Sequence, residues 1–378
     1  MYKISSGNFL GNITVEVRPR LRSCIVFIYI GDNDPSLIDV KLSETSIKIK
    51  CEKISKNLIL PSVKLLPTSL SSLRITSKWI SFRVQTNPDT IFGTFKTEIM
   101  NDIARTITME NSLIKQNLPQ IGSQLLLRCK CCENIITNII NCKRVLPLPN
   151  RDCDPGEWFC CKHTKVDFAK LLIPQDTDYF YGPAFCVLNN NNFQNLIEKY
   201  NTILCKKCLT ILGIKEDNES MRIWNCCVER KINDDKEFQL ICQSPLDEFV
   251  STIKDCSEIM GEEILMEALE GNKTHYILMK PMEWQLELLT ESNIKWEGES
   301  IRLKKSQVIK VFYKYGECKK SVRNEFVHSK YYLIALPLLI AGIEHLICST
   351  KRFPPSYRTV TQYCVGYINI KNSFTHGI

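Results

Sequence analysis

The chain has 378 residues, 44% of them hydrophobic and 24% charged, with 15 Gly and 16 Pro; this is enough to bury a core across two or three domains and excludes a disordered, collagen-like or low-complexity chain. The formal charge is +8, but acids are interspersed throughout and no basic stripe interleaves with aromatics, so no direct nucleic-acid ligand is expected. The longest apolar run, 331–343, is broken by Pro337 and falls short of the roughly 20 residues of a membrane span; the N-terminus has no apolar leader, so a soluble, intracellular protein without a membrane partner is expected.

Residues 8–100 read as short strands. Asn12-Ile-Thr-Val-Glu-Val and Ser46-Ile-Lys-Ile-Lys-Cys alternate, Cys24-Ile-Val-Phe-Ile-Tyr-Ile is a short buried run, and turn residues at 31–35 punctuate them. Frequent turns between such strands predict an antiparallel sheet or sandwich. Residues 95–116 are more helix-like, with Ile99, Ile103 and Ile107 on one face. In the middle region, Val145-Leu-Pro-Leu-Pro-Asn is not helical, because each Pro biases its predecessor to extended backbone. The four Asn of 189–192 predict a turn before 193–200. Further on, 222–228, 238–242, 274–280 and 307–314 read as strands. Helices are expected over 244–260, opened by Ser244 and Pro245, and over 338–348 after Pro337. The fold class that follows is α+β: an antiparallel β-rich N-terminal domain (1–124), a central zinc-ribbon-containing region with long loops (125–213), and an α+β C-terminal domain (214–378).

The 19 cysteines are the anomaly, and ten of them fall within 125–215. Disulfides are rare in a reducing compartment, so clustered Cys points to metal binding or thiol chemistry. Cys24, Cys51, Cys186, Cys242 and Cys364 stand among apolar residues and read as small core side chains. The strongest pattern is two C-x-x-C knuckles, Cys129-Lys-Cys-Cys132 and Cys205-Lys-Lys-Cys208, each followed by an apolar stretch. Two intervening residues let both sulfurs reach one ion at about 2.3 Å, and two knuckles complete a tetrahedral, closed and therefore structural Zn²⁺ site. Unrelated turn cysteines or a redox pair are the alternatives; a redox motif would stand in a thioredoxin-like βαβ context, which is absent. Cys131 is the spare thiol.

The second pattern runs from Arg144 to His163: a Pro-stiffened arm, a Gly turn at Gly156, the aromatic pair Trp158-Phe159, and Cys160-Cys161. Spacing favours a core loop with buried Trp158 and Phe159 as much as the two other readings together, a second metal site using Cys142, Cys153, Cys160, Cys161 or His163 and an exposed recognition loop that offers a thiolate. A RING is excluded, since the knuckles are too far apart for a compact eight-ligand site. No Gly-x-Ser-x-Gly elbow and no phosphate-cradling Gly-x-x-x-x-Gly-Lys loop is present.

Arg144-Val-Leu-Pro-Leu-Pro, Gly156-Glu-Trp, Cys160-Cys161, Tyr181-Gly-x-x-Phe185, Val187-Leu-Asn189, Cys205-Lys-Lys-Cys208 and Leu212-Gly213 together resemble the HECT-like E2-binding family. The likeness is densest over 125–213 and continues weakly through 244–260 and 336–358. It implies a ubiquitin ligase of the cytoplasm and nucleus that binds an E2 ubiquitin-conjugating enzyme, accepts ubiquitin and passes it to a protein lysine. Cys256 is the candidate acceptor, although a helix C-terminus and Asp255 would raise its thiol pKa. The resemblance also implies a second partner, the metallo-β-lactamase-type endonuclease of pre-mRNA 3′-end processing. There the loop would present Cys161, or Cys160 if the register shifts by one, to the partner's zinc and so inhibit it. Leu146, Pro147, Leu148, Pro149, Gly156, Glu157, Trp158, Phe159 and His163 would form the contact surface. An inhibitor or assembly chaperone without ligase activity is the alternative.

Overall fold

The computed structural model describes residues 10–31, 33–52, 54–61, 63–87, 118–148, 173–233, 235–256, 262–291 and 300–370. The fold is mainly β, with two α-helices among the described residues. The expected helix-like stretch at 95–116 lies outside them.

Four sheets carry the architecture. A ten-stranded sheet runs from Thr359–Val360 through Tyr363–Asn369, Lys304–Cys318, Lys273–Thr290, Ile13–Arg18, Ser23–Tyr29 and Trp79–Thr86 to Leu65–Ile75, with Ile264–Glu270 and Lys330–Leu333 branching from it. Strands from both ends of the chain therefore meet in its centre, where Thr14–Val17 pair antiparallel with Glu287–Thr290. A smaller outer sheet, Ser300–Arg302, Ile54–Ile59, Ser46–Cys51 and Ile38–Leu42, covers one face. The alternation read in Ser46–Cys51 is realised here: Ile47, Ile49 and Cys51 are buried, while Lys48 and Lys50 face out. Ile47, Ile49 and Leu58 pack with Ile13, Val15, Val17, Val26 and Ile28 in one apolar layer. Each such side chain contributes about 1.5–3 kcal/mol when fully buried.

The strand Ile13–Arg18 departs from the simple alternation. Thr14 and Glu16 are as buried as Ile13, Val15 and Val17, because this central strand is covered on both faces. Burial alone would push the Glu16 carboxyl up, but Lys310 and Arg18 beside it outweigh that and hold it below the ordinary carboxylate range. Tyr367 donates a further hydrogen bond at 2.6 Å. A buried charge persists only where it is paired and hydrogen-bonded in this way.

The central sheet has seven strands: Arg144–Pro147, Asp178–Tyr181, Phe185–Asn189, Ser220–Trp224, Ile211–Lys215, Thr202–Cys205 and Leu196–Lys199. A four-stranded bridging sheet, Gln239–Leu240, Val228–Ile232, Gln124–Cys129 and Ile140–Asn141, stands beside it. The strand expected over 222–228 is broken by a 3-10 turn at Asn225–Cys227. The break has a topological cause: Ser220–Trp224 belongs to the central sheet and Val228–Ile232 to the bridging sheet. Helix α1 (Pro245–Cys256) opens where Ser244 Oγ accepts the Asp247 N–H at 3.3 Å, with Asp247 and Glu248 in its first turn. Such a cap satisfies one of the free N–H groups of the first turn. Helix α2 (Leu336–Thr350) carries Pro337 within its first turn, where the missing N–H costs nothing. The two helices pack through Phe249 and Gly342, where an added Cβ would lie 2.4 Å from the Phe249 ring. None of the described helices is long and apolar enough to cross a membrane.

Candidate metal centre

Cys129 is the last residue of the bridging-sheet strand Gln124–Cys129, and Cys205 the last of the central-sheet strand Thr202–Cys205. Each strand then turns through the same backbone pattern. Cys129 N–H donates to Asn134 O at 2.8 Å and Glu133 N–H to Cys129 O at 2.9 Å; Cys205 N–H donates to Thr210 O at 3.0 Å and Leu209 N–H to Cys205 O at 2.9 Å. The sulfurs follow suit. The backbone N–H groups of Cys131 and Cys132 favour the Cys129 thiolate, and those of Lys207 and Cys208 the Cys205 thiolate. Cys132 is served by the Asn134 N–H and Cys208 by the Thr210 N–H.

The two turns face each other. Cys129 Sγ lies 3.6 Å from Cys208 Sγ, and Cys132 Sγ 3.5 Å from Cys205 Sγ. All four sulfurs fall within 4.8 Å of one another, close enough to hold one metal ion. Cys129 and Cys205 are buried, Cys132 and Cys208 half-buried, and Cys131 is exposed and outside the set. The fold thus brings together the four residues marked out by their spacing, across a separation of up to 79 residues.

The electrostatics favour the thiolate at two of the four sulfurs, Cys205 and Cys208. Burial opposes ionisation at all four sulfurs. At Cys208 the Thr210 hydroxyl and N–H outweigh it and bring the thiol down to about 6. At Cys205 the N–H groups of Cys208 and Lys207 also prevail and lower the thiol. At Cys129 and Cys132 burial wins, and both thiols stay up as hydrogen-bonding neighbours of the other two. Four thiolates around a divalent ion leave a net charge of about −2. Lys130, Lys206 and Lys207 occupy the knuckle spacers, and Lys207 Nζ lies 3.2 Å from the Cys132 carbonyl.

Behind the first knuckle lies a feature to which the sequence pattern assigns no role. The buried thiols of Cys226 and Cys227 are 3.7 Å apart in the 3-10 turn, and the Lys130 N–H donates to Cys227 O at 3.1 Å. Cys227 lines a cavity of about 230 Å³ with Thr210, Trp224, Leu269, Leu333 and Pro337. Neither the Lys130 contact nor the cavity has a local signal, since each joins segments far apart in the chain.

The Pro-rich arm begins as the edge strand Arg144–Pro147, parallel to Asp178–Tyr181. Arg144 grips the buried Asp178 bidentately through one guanidinium edge, Nε donating to Oδ1 at 2.8 Å and Nη2 to Oδ2. The Gln175 N–H donates to the same carboxylate at 2.7 Å. Leu146 is 44% exposed, Pro147 is also exposed, and the Leu148 N–H donates to Tyr181 O at 2.8 Å. Pro149, Gly156, Glu157, Trp158, Phe159, Cys160, Cys161 and His163 lie outside the described residues, and so does the side chain of Cys256, whose backbone ends helix α1. Cys24, Cys51, Cys186 and Cys242 are buried and Cys364 half-buried, in keeping with a packing role.

Fold and site together describe a mainly β protein with a Cys₄ cluster, and the family model for HECT-like ubiquitin-conjugating enzyme (E2)-binding proteins matches residues 16–365. The chain belongs to that family. Among individual proteins it is similar to an E3 ubiquitin-protein ligase of Mus musculus, 25% identical over 217 residues, which are 56% of this chain and 54% of the mouse protein. It is likewise similar to the Homo sapiens ligase of the same name, 24% identical over 238 residues and 56% of each chain. The match therefore spans about half the length of these relatives.

Proposed function

We propose that this chain is a ubiquitin ligase that binds an E2 and transfers ubiquitin to protein lysines, with one structural Zn²⁺ held by Cys129, Cys132, Cys205 and Cys208. The observation that carries the reading is the family match, which takes in nearly all the described residues. The names of the relatives support the ligase activity. Zinc fits the donor set because four sulfurs and no oxygen ligand favour a borderline-soft ion without geometric demands of its own. A site closed by four protein ligands has no open position, so the ion would hold the two sheets together and take no part in transfer.

Transfer needs a thiol elsewhere, and Cys256 is retained as the candidate acceptor. Its thiolate would attack the E2–ubiquitin thioester, the new carbon–sulfur bond forming as the old one breaks, with the proton passing to the released E2 thiol. The test is to incubate the purified chain with ubiquitin-activating enzyme, ATP, ubiquitin and a panel of E2 enzymes. A ubiquitin adduct on the chain that a reducing agent destroys supports covalent transfer. Retention of an E2 with no such adduct overturns covalent transfer and leaves E2 binding alone. Failure to retain any E2 overturns the whole reading. Full activity in Cys256→Ala would remove Cys256 from the role.

A second reading is that the arm inhibits a metallo-β-lactamase-type RNA-processing endonuclease, with Cys161, or Cys160, as a ligand to the partner's zinc. What favours it is the Arg144–Asp178 grip at the edge of the central sheet, from which Leu146 and Pro147 project into solvent. A stiff arm loses little freedom on binding. Cys161→Ser should abolish inhibition while leaving the chain's own zinc content unchanged; loss of that zinc instead would place Cys161 in an intramolecular site.

A further inference from the structure

The outer sheet buries one face and presents the other to solvent, and that solvent face is built in rows. Lys41, Lys48, Asn57 and Ser300 stand directly opposite one another across all four strands. In the next row Asp39, Lys50 and Ser55 stand opposite one another across three of the strands. On the other side Ser46 and Arg302 flank Ile59, which is 37% exposed. Side chains of cross-strand partners share a face, so Lys48 stands beside Lys41 in one row with Lys50 two residues along. The face is concave, with a groove of about 530 Å³ between Lys41, Lys48, Asn57 and Ser300.

Like charges directly opposite each other in a ladder destabilise it. Here Lys41 meets Lys48, and the acid in these rows is Asp39, already 3.7 Å from Lys41. Among the described residues Lys48 and Arg302 have no acid directly opposite them, and Lys50 shares Asp39 with Lys41. Such an arrangement is relieved when an anionic partner covers it. The rows contain hydroxyls, an amide and an exposed Ile59, but no aromatic ring on which a base could stack, which is what single-stranded nucleic acid grooves supply. Hydroxyls and an amide bond carboxylates well, and Ile59 offers an apolar side chain a contact among the charges.

We propose that this face of the outer sheet docks an extended acidic segment of a partner protein, one that alternates carboxylates with apolar residues. Lys48, Lys50 and Arg302 pair with the carboxylates, and Ile59 meets an apolar side chain. The surface lies on a different sheet from the Cys₄ cluster, and the inference does not depend on the E2 reading.

The test uses the full chain and a fluorescein-labelled peptide of alternating Glu and Val, with fluorescence anisotropy as the readout. A Gln-Val peptide and a labelled oligouridylate serve as comparisons. The Glu-Val peptide should bind, and the combined variant Lys48→Glu, Lys50→Glu should weaken it by about tenfold or more. Reversing the exposed Lys319 and Lys320, which lie outside this sheet, should leave binding within twofold, about 0.4 kcal/mol, of the wild type. An unchanged thermal midpoint in the variants shows that the fold is intact. Equal binding of the Gln-Val peptide overturns the proposal, as does undiminished binding by the Lys48/Lys50 variant. Tighter binding of oligouridylate through the same two lysines overturns it in favour of a nucleic-acid surface.

Discussion

Glu133 and Leu209 hold the same backbone position in two separate turns. Each is four residues beyond the first cysteine of its knuckle, each has a left-handed backbone (φ 59 and 62), and each returns its N–H to that cysteine's carbonyl. Two C-x-x-C turns that share this backbone hydrogen-bond pattern are hard to account for as unrelated cysteines. The left-handed conformation costs a non-Gly residue about 1–2 kcal/mol. Leu209 is 60% exposed and has little packing to lose. Leu209→Gly should therefore stabilise the chain by up to about 1 kcal/mol and Leu209→Val should destabilise it, as read from denaturant midpoints at constant slope.

Removing one sulfur should cost far more than a buried side chain. Zinc binding by four cysteines is worth about 10–16 kcal/mol, comparable with the net stability of a whole domain. Cys205→Ser should release the metal and make the bridging and central sheets sensitive to protease. Cys131→Ser, one residue from a ligand yet exposed, should retain both metal and resistance. Limited proteolysis of the two variants side by side makes the comparison.

Gly213 stands where the central sheet leaves no room. A Cβ there would lie 1.9 Å from the Arg222 carbonyl on the neighbouring strand. Gly213→Ala must push those strands apart, and a destabilisation of about 1–3 kcal/mol is expected. A thermal-unfolding comparison with Gly122→Ala gives a useful reference, because Gly122 has open space around its Cβ position but a φ of 88. Gly122→Ala should also lose stability, though through backbone strain alone.

Glu248 makes stability fall as pH rises. Burial pushes its carboxyl up to about 8, against the opposing pull of Cys242, Lys130 and Asn225, and its Oε2 has no hydrogen-bond partner. Below the ordinary value of 4.5 the group is protonated in both folded and unfolded chains, and its contribution is constant. Between 4.5 and about 8 the unfolded chain ionises first, so stability declines, and above about 8 the loss is complete. The whole effect is at most about 5 kcal/mol. Glu248→Gln should flatten this part of the pH–stability curve and raise stability at pH 8, as measured by urea denaturation across the range.

What could be read from the sequence is what depends on near neighbours. The knuckles were legible because a C-x-x-C turn is local, and Ser46–Cys51 because alternation reports a half-buried strand. The helix at 244–260 was marked by Ser244 and Pro245, and Pro245–Cys256 is helical within the described residues. The pairing of Thr14–Val17 with Glu287–Thr290 was not legible, because nothing in either segment encodes so distant a partner. The same holds for Glu16, whose charge reads as a solvent-facing position until Lys310 and Tyr367 arrive from the far end of the chain. The break at Asn225–Cys227 hid for a related reason: the apolar pattern continues while the chain changes sheets. At the site, the four cysteines stood out in the sequence but the matching hydrogen bonds of Glu133 and Leu209 did not, since neither residue type announces a left-handed backbone.

Closure of one metal site between two sheets by Cys129, Cys132, Cys205 and Cys208 is tested most directly by elemental analysis of the purified, reduced and folded chain. One zinc per chain, lost in Cys205→Ser and kept in Cys131→Ser, is the expected result; a folded, reduced chain containing no stoichiometric zinc would contradict it.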